Sequence, residues 1–134
     1  MTTARRERLT LSTNDQVVTV RQRAREFALD AKLSLVDQTK LVTAASELAR
    51  NMVVYGGGGT VTIELVEADG RLGVKITFDD QGPGIADVAQ ALRDGYTTGG
   101  GLGLGLGGAK RLVHDFELRS EAGRGTTVVI TRWK

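Results

Sequence analysis

The sequence predicts a two-layer α/β (α+β) sandwich built on one largely antiparallel sheet. Two stretches with apolar residues at helical spacing come early in the chain, and short alternating stretches joined by tight turns follow them. Helices combined with hairpin-connected strands are typical of a helix layer packed on one sheet. The 134 residues suit one domain, because compact domains commonly contain about 100–200 residues. We therefore expect a single domain over residues 1–134.

The first two predicted elements are helices. Residues 15–31 carry a clean apolar stripe, and Thr13 with Gln16 before it matches a capping box. A second helix is expected to begin at Ser34, which opens a Ser-x-x-Asp cap, and to end at Gly56.

Four strands follow in two hairpins. Alternating apolar residues over 61–65 and 72–78 predict the first hairpin, with its turn at 68–70. Residues 116–120 and 126–133 predict the second hairpin. The chain then has alternating strands on both sides of its glycine-rich middle.

Two shorter helices and a tail complete the prediction. Residues 86–93 could form a short helix, and residues 108–116 are expected to form another, with Ala109, Leu112, Val113 and Phe116 facing inward. Residues 1–7 are expected to form a flexible tail, whose arginines are solvated.

Composition excludes several classes of protein. The chain has no cysteine, so disulfides, zinc ribbons, iron–sulfur clusters and cysteine nucleophiles are excluded. Its net charge is only +2, and its six aromatic residues do not interleave with a basic cluster, so a nucleic-acid surface is disfavoured. His114, the one histidine, lies off the apolar stripe and is expected at the surface. Neither a signal peptide nor a membrane helix is predicted, so we expect a cytoplasmic protein.

Glu47 and Asn51 are the first candidate functional pair. They are four residues apart, so they stack on one line of the second helix, at the flank of its apolar stripe. A carboxylate and an amide oxygen there could orient a nucleophile and hold Mg²⁺, which prefers oxygen ligands. A solvated Glu and Asn at a helix boundary fits the same residues, and the pair alone favours that interpretation.

Asp80 is the second candidate, because alternation puts it on the inward face with Phe78 while Asp79 points away. An inward carboxylate needs a donor, and the exocyclic amine of adenine would be one. Gly82 and Gly84 would let the backbone pass close to a flat ring. A Pro-Gly turn with Asp80 bonded to nearby N–H groups explains the segment equally well.

Glycine is the compositional anomaly, with eighteen residues among 134 against a usual ~7%. Eight of them lie between Gly95 and Gly108, directly before a predicted helix that carries Lys110. Such a loop favours a phosphate-binding lid, because free N–H groups and the helix dipole attract anions. Leucine at every second position from Leu102 to Leu106 argues against a flexible linker. The Gly-Lys-Ser/Thr of a P-loop is absent, and the Rossmann-like glycine spacing has no strand before it.

In combination, these segments resemble the GHKL ATP-binding superfamily. The N-box resembles residues 47–51, the first glycine box residues 80–85, the second glycine box residues 101–106, and the final box residues 125–127. The chain is similar over about residues 8–134 to the small bacterial serine kinases of sigma-factor partner switching, in particular the stressosome switch kinases. The closer match also includes Tyr55.

This resemblance implies the GHKL fold, a mixed, mostly antiparallel sheet with helices on one face, and an ATP-dependent kinase of STAS-domain proteins. Glu47 would be the general base, Asn51 would hold Mg²⁺, Asp80 would take the adenine amine, and Thr126 would support the adenine end. The implied cofactor-binding residues are Asn51, Asp80, Gly82, Gly84, Ile85, Gly101, Leu102, Gly103, Leu104, Gly105, Leu106, Lys110 and Thr126. Released kinases of this kind would activate a PP2C-type phosphatase.

One departure and two alternatives accompany this prediction. Some anti-sigma kinases of the family carry an arginine in the lid, whereas no basic residue lies between Arg93 and Lys110 here. This favours a switch kinase with slow turnover over an anti-sigma factor kinase that sequesters a sigma factor. A nucleotide-gated binding module without phosphotransfer is the second alternative, and Glu47 argues against it, because binding alone needs no base.

Overall fold

Five strands and three helices make up the described part of the chain. The computed structural model describes residues 1–82 and 105–134. The elements are β1 (Thr2–Leu11), α1 (Asn14–Asp30), α2 (Leu35–Tyr55), β2 (Gly59–Ala68), β3 (Arg71–Asp80), α3 (Gly105–Arg111), β4 (Asp115–Glu121) and β5 (Gly125–Trp133). The strands form one sheet in the order β1-β2-β3-β5-β4, and each neighbouring pair is antiparallel. The predicted fold class is confirmed.

Local chemistry sets the bounds of both long helices. The Gln16 side-chain oxygen accepts from the backbone N–H of Thr13 at 3.1 Å, and the Ser34 hydroxyl accepts from the N–H of Asp37 at 3.1 Å. Such bonds satisfy N–H groups that have no partner within the helix. Gly56 caps the C-terminus of α2. Both predicted helix starts are therefore confirmed to within one residue.

The core lies between α1 and α2 and one face of the sheet. Phe27 of α1, Leu41 of α2, and Ile63, Ile76 and Ile130 of the sheet are fully buried and belong to one cluster. Burial of each such side chain contributes about 1.5–3 kcal/mol. The helix layer fixes where the inward ends of the strands can form a site.

None of the described helices is both long enough and apolar enough to span a membrane.

The N-terminal segment is a strand, so the predicted tail over residues 1–7 is wrong. Thr2–Leu11 pairs with β2 as an edge strand, with Leu9 opposite Val61. Its charged side chains are held by distant partners: Arg6 Nη2 lies 2.9 Å from Glu64 Oε2, and Glu7 pairs with Arg23 at 3.2 Å. Ion pairs with other elements let a highly charged sequence join the sheet, and nothing in the local pattern indicates them.

The helix predicted over residues 108–116 is shorter and starts earlier. α3 ends at Arg111, and the chain turns where Leu112 N–H donates to Ala109 O at 3.1 Å. Phe116 lies in β4 opposite Ile130. The apolar spacing suited a helix, but pairing with β5 satisfies the backbone of residues 115–121 instead. The helix predicted over residues 86–93 lies outside the described residues.

Candidate active site

The site is built around Asp80, the last residue of β3. Its side chain faces inward beside Phe78 and is 9% exposed, whereas Asp79 points outward. Asp79 accepts a hydrogen bond from the Thr127 hydroxyl on that outer face, at 3.0 Å. The alternation expected from the sequence is therefore present, and Asp80 is the carboxylate that enters the helix-facing side of the sheet.

Two backbone groups hold this carboxylate. The N–H of Gly82 donates to Asp80 Oδ1 at 2.9 Å, and the backbone of Thr126 forms a second hydrogen bond with the carboxylate. Burial raises the pKa of Asp80, the charge of Asp79 adds to the rise, and both backbone hydrogen bonds oppose it. A carboxylate can accept about four hydrogen bonds, so the chain orients Asp80 and leaves it capacity to accept from a ligand.

Glycine allows the end of α2 to approach Asp80. A Cβ atom on Gly56 would lie 2.7 Å from Asp80 Cγ and Oδ2, and one on Gly82 would lie 2.6 Å from Gly56 Cα. Real Cβ atoms do not come this close to their neighbours. The sequence pattern predicts only that Gly56 ends a helix. Its approach to Asp80 could not be predicted, because it depends on how α2 packs on the sheet.

Thr126 lies beside Asp80 because of strand register. Thr126 of β5 is paired with Asp80 of β3 and with Ser120 of β4. The Ser120 hydroxyl donates to Gly125 O at 3.0 Å and lies 2.9 Å from the Thr126 hydroxyl oxygen. Because a hydroxyl has one hydrogen, a Ser120 hydroxyl that donates to Gly125 O accepts from the Thr126 hydroxyl. Ser120 was missed by the sequence analysis, since only the register brings it here.

Glu47 and Asn51 occupy the same flank of α2, one turn apart. Glu47 is 5% exposed and Asn51 is half-buried. The Glu47 Oε1 atom lies 3.5 Å from Nη1 of Arg50, a contact that the sequence analysis also missed. Gly56 follows Glu47 by nine positions in this helix and its cap, which at ~1.5 Å per residue separates them by about 14 Å. α2 thus carries a buried acid about two turns before its C-terminus, and its C-terminal cap packs on Asp80.

The remaining candidates divide into described and undescribed residues. Gly105 begins α3, Leu106 packs against the core, and Lys110 is exposed. Within residues 1–82 and 105–134, no hydrogen bond or ion pair joins Lys110 to Asp80 or Glu47. Six predicted site residues lie outside the described part: Gly84, Ile85, Gly101, Leu102, Gly103 and Leu104. Their roles stay predictions.

Comparison with known families agrees with this geometry. Residues 36–134 match the family described as Histidine kinase-, DNA gyrase B-, and HSP90-like ATPase. The matched segment includes Asp80, Thr126 and all of α2 after its first residue. The chain belongs to this family, and the resemblance to the GHKL superfamily is confirmed.

Among the relatives, the chain is 45% identical over 123 residues to the serine/threonine-protein kinase RsbT of Bacillus subtilis (strain 168), with 92% of each chain covered. It is 29% identical over 130 residues to an anti-sigma F factor of Geobacillus sp. (strain WCH70), covering 92% of this chain and 86% of the relative. The chain is thus RsbT-like, and the predicted resemblance to switch kinases is confirmed.

A solved structure supports the fold. The RsbU and RsbW domains of a Mycobacterium tuberculosis protein superpose with a TM-score of 0.66 at 23% identity, covering 98% of this chain and 33% of that one. At this identity the likeness concerns the fold alone.

Proposed function

We propose that this protein is an ATP-dependent serine/threonine kinase that phosphorylates a STAS-domain protein in a cytoplasmic partner-switching pathway. The observation that carries the proposal is α2, which carries a buried acid, Glu47, and whose C-terminal cap packs against the oriented carboxylate Asp80. The 45% identity to a relative named as a serine/threonine-protein kinase supports the same activity.

Asp80 would recognise the adenine ring. Its carboxylate is oriented by Gly82 and Thr126 and can accept from the exocyclic amine, which is a donor. The Thr126 oxygen lies on the same face of the sheet one strand away, so it would support the adenine end. The triphosphate would then extend along α2 toward Glu47, and the predicted glycine-rich segment from Gly101 to Leu106, with Lys110, would hold the phosphates.

Glu47 would act as the general base, a role typically worth 10²–10⁴-fold in rate. It would accept the proton of a serine or threonine hydroxyl as that oxygen bonds to the γ-phosphorus. The bond from this phosphorus to the bridging oxygen breaks at the same time, and its electrons leave with ADP. Positioning and charge neutralisation supply most of the catalysis in such transfers.

Asn51 would hold Mg²⁺, and the residues present fit that ion. Its amide oxygen is a hard ligand, one turn from Glu47. Among the described residues, no group of three or more His, Cys, Asp or Glu could hold a metal ion. Mg²⁺ is usually bound through one or two protein ligands together with substrate phosphates and water, and Asn51 would be one such ligand. When bound, Mg²⁺ neutralises charge on the phosphates.

The released kinase would also bind and activate a PP2C-type phosphatase, as its resemblance to switch kinases implies. A second candidate function is sequestration of a sigma factor. The identity to relatives named as anti-sigma F factors favours this alternative. The two functions predict different partners, so capture experiments against both kinds of protein separate them.

The test is transfer of radiolabel from the γ-phosphate of ATP, with Mg²⁺, to a panel of STAS-domain proteins from the source genome. We expect label on a serine or threonine of one STAS protein. Glu47→Ala should keep ATP binding within about 2-fold and lower transfer by at least about 100-fold. Absence of label, combined with nucleotide-dependent capture of a sigma factor, would replace the kinase with a binding switch. Equal labelling by both proteins would remove Glu47 from the role of base.

A further inference from the structure

We infer that Arg50 is the positioning residue of Glu47, holding the carboxylate of the proposed base by charge. This inference rests on the proposed function. It concerns a residue directly before Asn51 whose contact with Glu47 appears only in the structure.

The burial of Glu47 requires a positively charged partner. Its side chain is 6% exposed, and a buried carboxylate is strongly disfavoured unless it is paired. Within residues 1–82 and 105–134, the guanidinium of Arg50 is the one ion-pair partner of Glu47. Helical side chains lean toward the N-terminus of their helix, so the Arg50 side chain extends over the turn that carries Glu47.

Comparison with a second pair of the same spacing separates this contact from ordinary surface pairing. Arg23 and Glu26 of α1 are also three residues apart, and their side chains are 42% and 49% exposed. Pairs of that kind are solvated and contribute little. The Glu47 side chain is buried whereas Arg50 is about one-third exposed, so the charge of Arg50 acts on an acid that water reaches poorly.

The distance suits a base that must still accept a proton. Arg50 Nη1 lies 3.5 Å from Glu47 Oε1, which is longer than the usual 2.7–3.2 Å of an N–H···O hydrogen bond. Arg50 therefore attracts the carboxylate without occupying an acceptor position with a short bond. Since arginine is always charged, this attraction orients the Glu47 carboxylate until Glu47 accepts the hydroxyl proton and becomes neutral.

The experiment compares Arg50→Gln and Arg50→Lys with the matched control Arg23→Gln. It measures kcat for transfer to the STAS substrate and the Kd for ATP. Arg50→Gln should lower kcat by about 10–100-fold, because small displacements of a catalytic group have effects of this size. The Kd for ATP should change by less than about 2-fold. Arg50→Lys should recover part of kcat, and Arg23→Gln should match the wild type.

A double-mutant cycle with Glu47→Gln identifies the residue through which Arg50 acts. If Arg50 acts through Glu47, adding Arg50→Gln to Glu47→Gln lowers the rate no further. If Arg50→Gln lowers the rate as much in the Glu47→Gln background as in the wild type, the inference is overturned. A wild-type kcat for Arg50→Gln would also overturn it, as would a rise in the Kd for ATP that accounts for the lost rate.

Folding and the proposed function are controlled separately. If Arg50→Gln does not fold, Arg50→Lys carries the same test, since a lowered kcat at unchanged Kd is expected of it too. A wild-type protein that transfers no phosphate overturns the proposed function and this inference together. A wild type and an Arg50→Gln variant that transfer equally well overturn the inference alone.

Discussion

The two ends of the β3–β5 pair treat a carboxylate in opposite ways. At one end, Asp80 is oriented by two backbone hydrogen bonds and its pKa is raised by burial. At the other end, six positions along β5 and thus about 20 Å away, Arg132 donates to Asp37 of α2 at 2.6 Å. The hydrogen bond from Arg132 lowers the pKa of Asp37.

The polar groups at the Arg132 end form hydrogen bonds with one another. Arg132 also donates to Leu112 O at 3.2 Å. The indole N–H of Trp133 donates to Asp115 at 2.8 Å, and its backbone N–H donates to His114 Nδ1 at 2.9 Å. These hydrogen bonds join α2 and β4 to the end of β5.

One sheet therefore uses carboxylates in two ways, for stability at one end and for a candidate site at the other. Where a charged side chain from another element neutralises the carboxylate, as Arg132 does for Asp37, the pair stabilises the fold. At Asp80, where the partners among the described residues are backbone groups, the carboxylate is oriented and retains acceptor capacity for a ligand. Variants at the two ends should therefore affect different properties.

The largest expected effect is on nucleotide binding by Asp80→Asn. The N–H of Gly82 would hold the amide oxygen, so the amide NH₂ group would meet the adenine amine as donor against donor. We expect the Kd for ATP to rise about 1000-fold, equivalent to about 4 kcal/mol, with the free energy of unfolding within about 1 kcal/mol of wild type. Titration calorimetry measures this Kd. Asp37→Asn is the matched control, and a similar rise in its Kd would contradict the separation of the two ends.

Arg132→Met should have the complementary effect, on stability. It removes the Arg132 hydrogen bonds to the Asp37 carboxylate and the Leu112 carbonyl, and we expect the free energy of unfolding to fall by about 2 kcal/mol. Urea unfolding measures the loss, and the Kd for ATP should stay within about 2-fold. Weakened ATP binding in a folded Arg132→Met protein would show that the ends are coupled.

Gly56→Ala should affect the Asp80 end alone. The added methyl group would lie 2.7 Å from the Asp80 carboxyl carbon, so we expect a loss of about 1–3 kcal/mol in stability and about 10-fold weaker ATP binding. Gly70→Ala is the control, because Gly70 has a φ of 77° with no atom near a Cβ, and it should lose only about 1–2 kcal/mol of stability. Equal ATP affinities in these two variants would refute the crowding of Asp80.

The smallest expected effect is in the pH dependence of stability, where the two carboxylates have opposite signs. The folded pKa of Asp37 is lowered from its ordinary 3.8, so its contribution is present above that value and is lost as the pH falls through the lower folded pKa. The folded pKa of Asp80 is raised from 3.8, so its contribution is full below 3.8 and declines as the pH rises through the folded pKa.

Urea unfolding from pH 3 to pH 7 measures both contributions. Relative to Asp37→Asn, the wild type should lose stability only below about pH 4. Relative to Asp80→Asn, it should lose stability as the pH rises above about 4. If the two differences in stability, wild type against Asp37→Asn and wild type against Asp80→Asn, change with pH in the same direction, the assigned directions of the two pKa shifts are wrong.

Much of the site could be predicted from local pattern. The start of α2 at Ser34 and its end at Gly56 follow from capping chemistry, which acts within a few residues. The inward direction of Asp80 follows from strand alternation, which needs no knowledge of neighbouring strands. Asp80, Glu47 and Asn51 were therefore accessible as candidates, and their combination with the glycine boxes indicated the family.

What pattern did not reveal depended on contacts between distant residues. β1 was missed because its arginines and Glu7 resemble a solvated tail until Glu64, Asp30 and Arg23 are brought beside them. Residues 112–116 were assigned to a helix because the same apolar spacing serves a turn and a strand once β5 is adjacent.

Local pattern predicted both long helices, the strands β2 to β5 and the inward carboxylate, and a string of motifs predicted the family, because each depends on residues close together in the chain or on motifs read along it. Packing in three dimensions places Gly56 against Asp80, brings Ser120 to Thr126, and adds β1 to the sheet. Each of these arises from strand register or helix packing between segments far apart in the chain. A local pattern carries no information about which distant segment will pair with it.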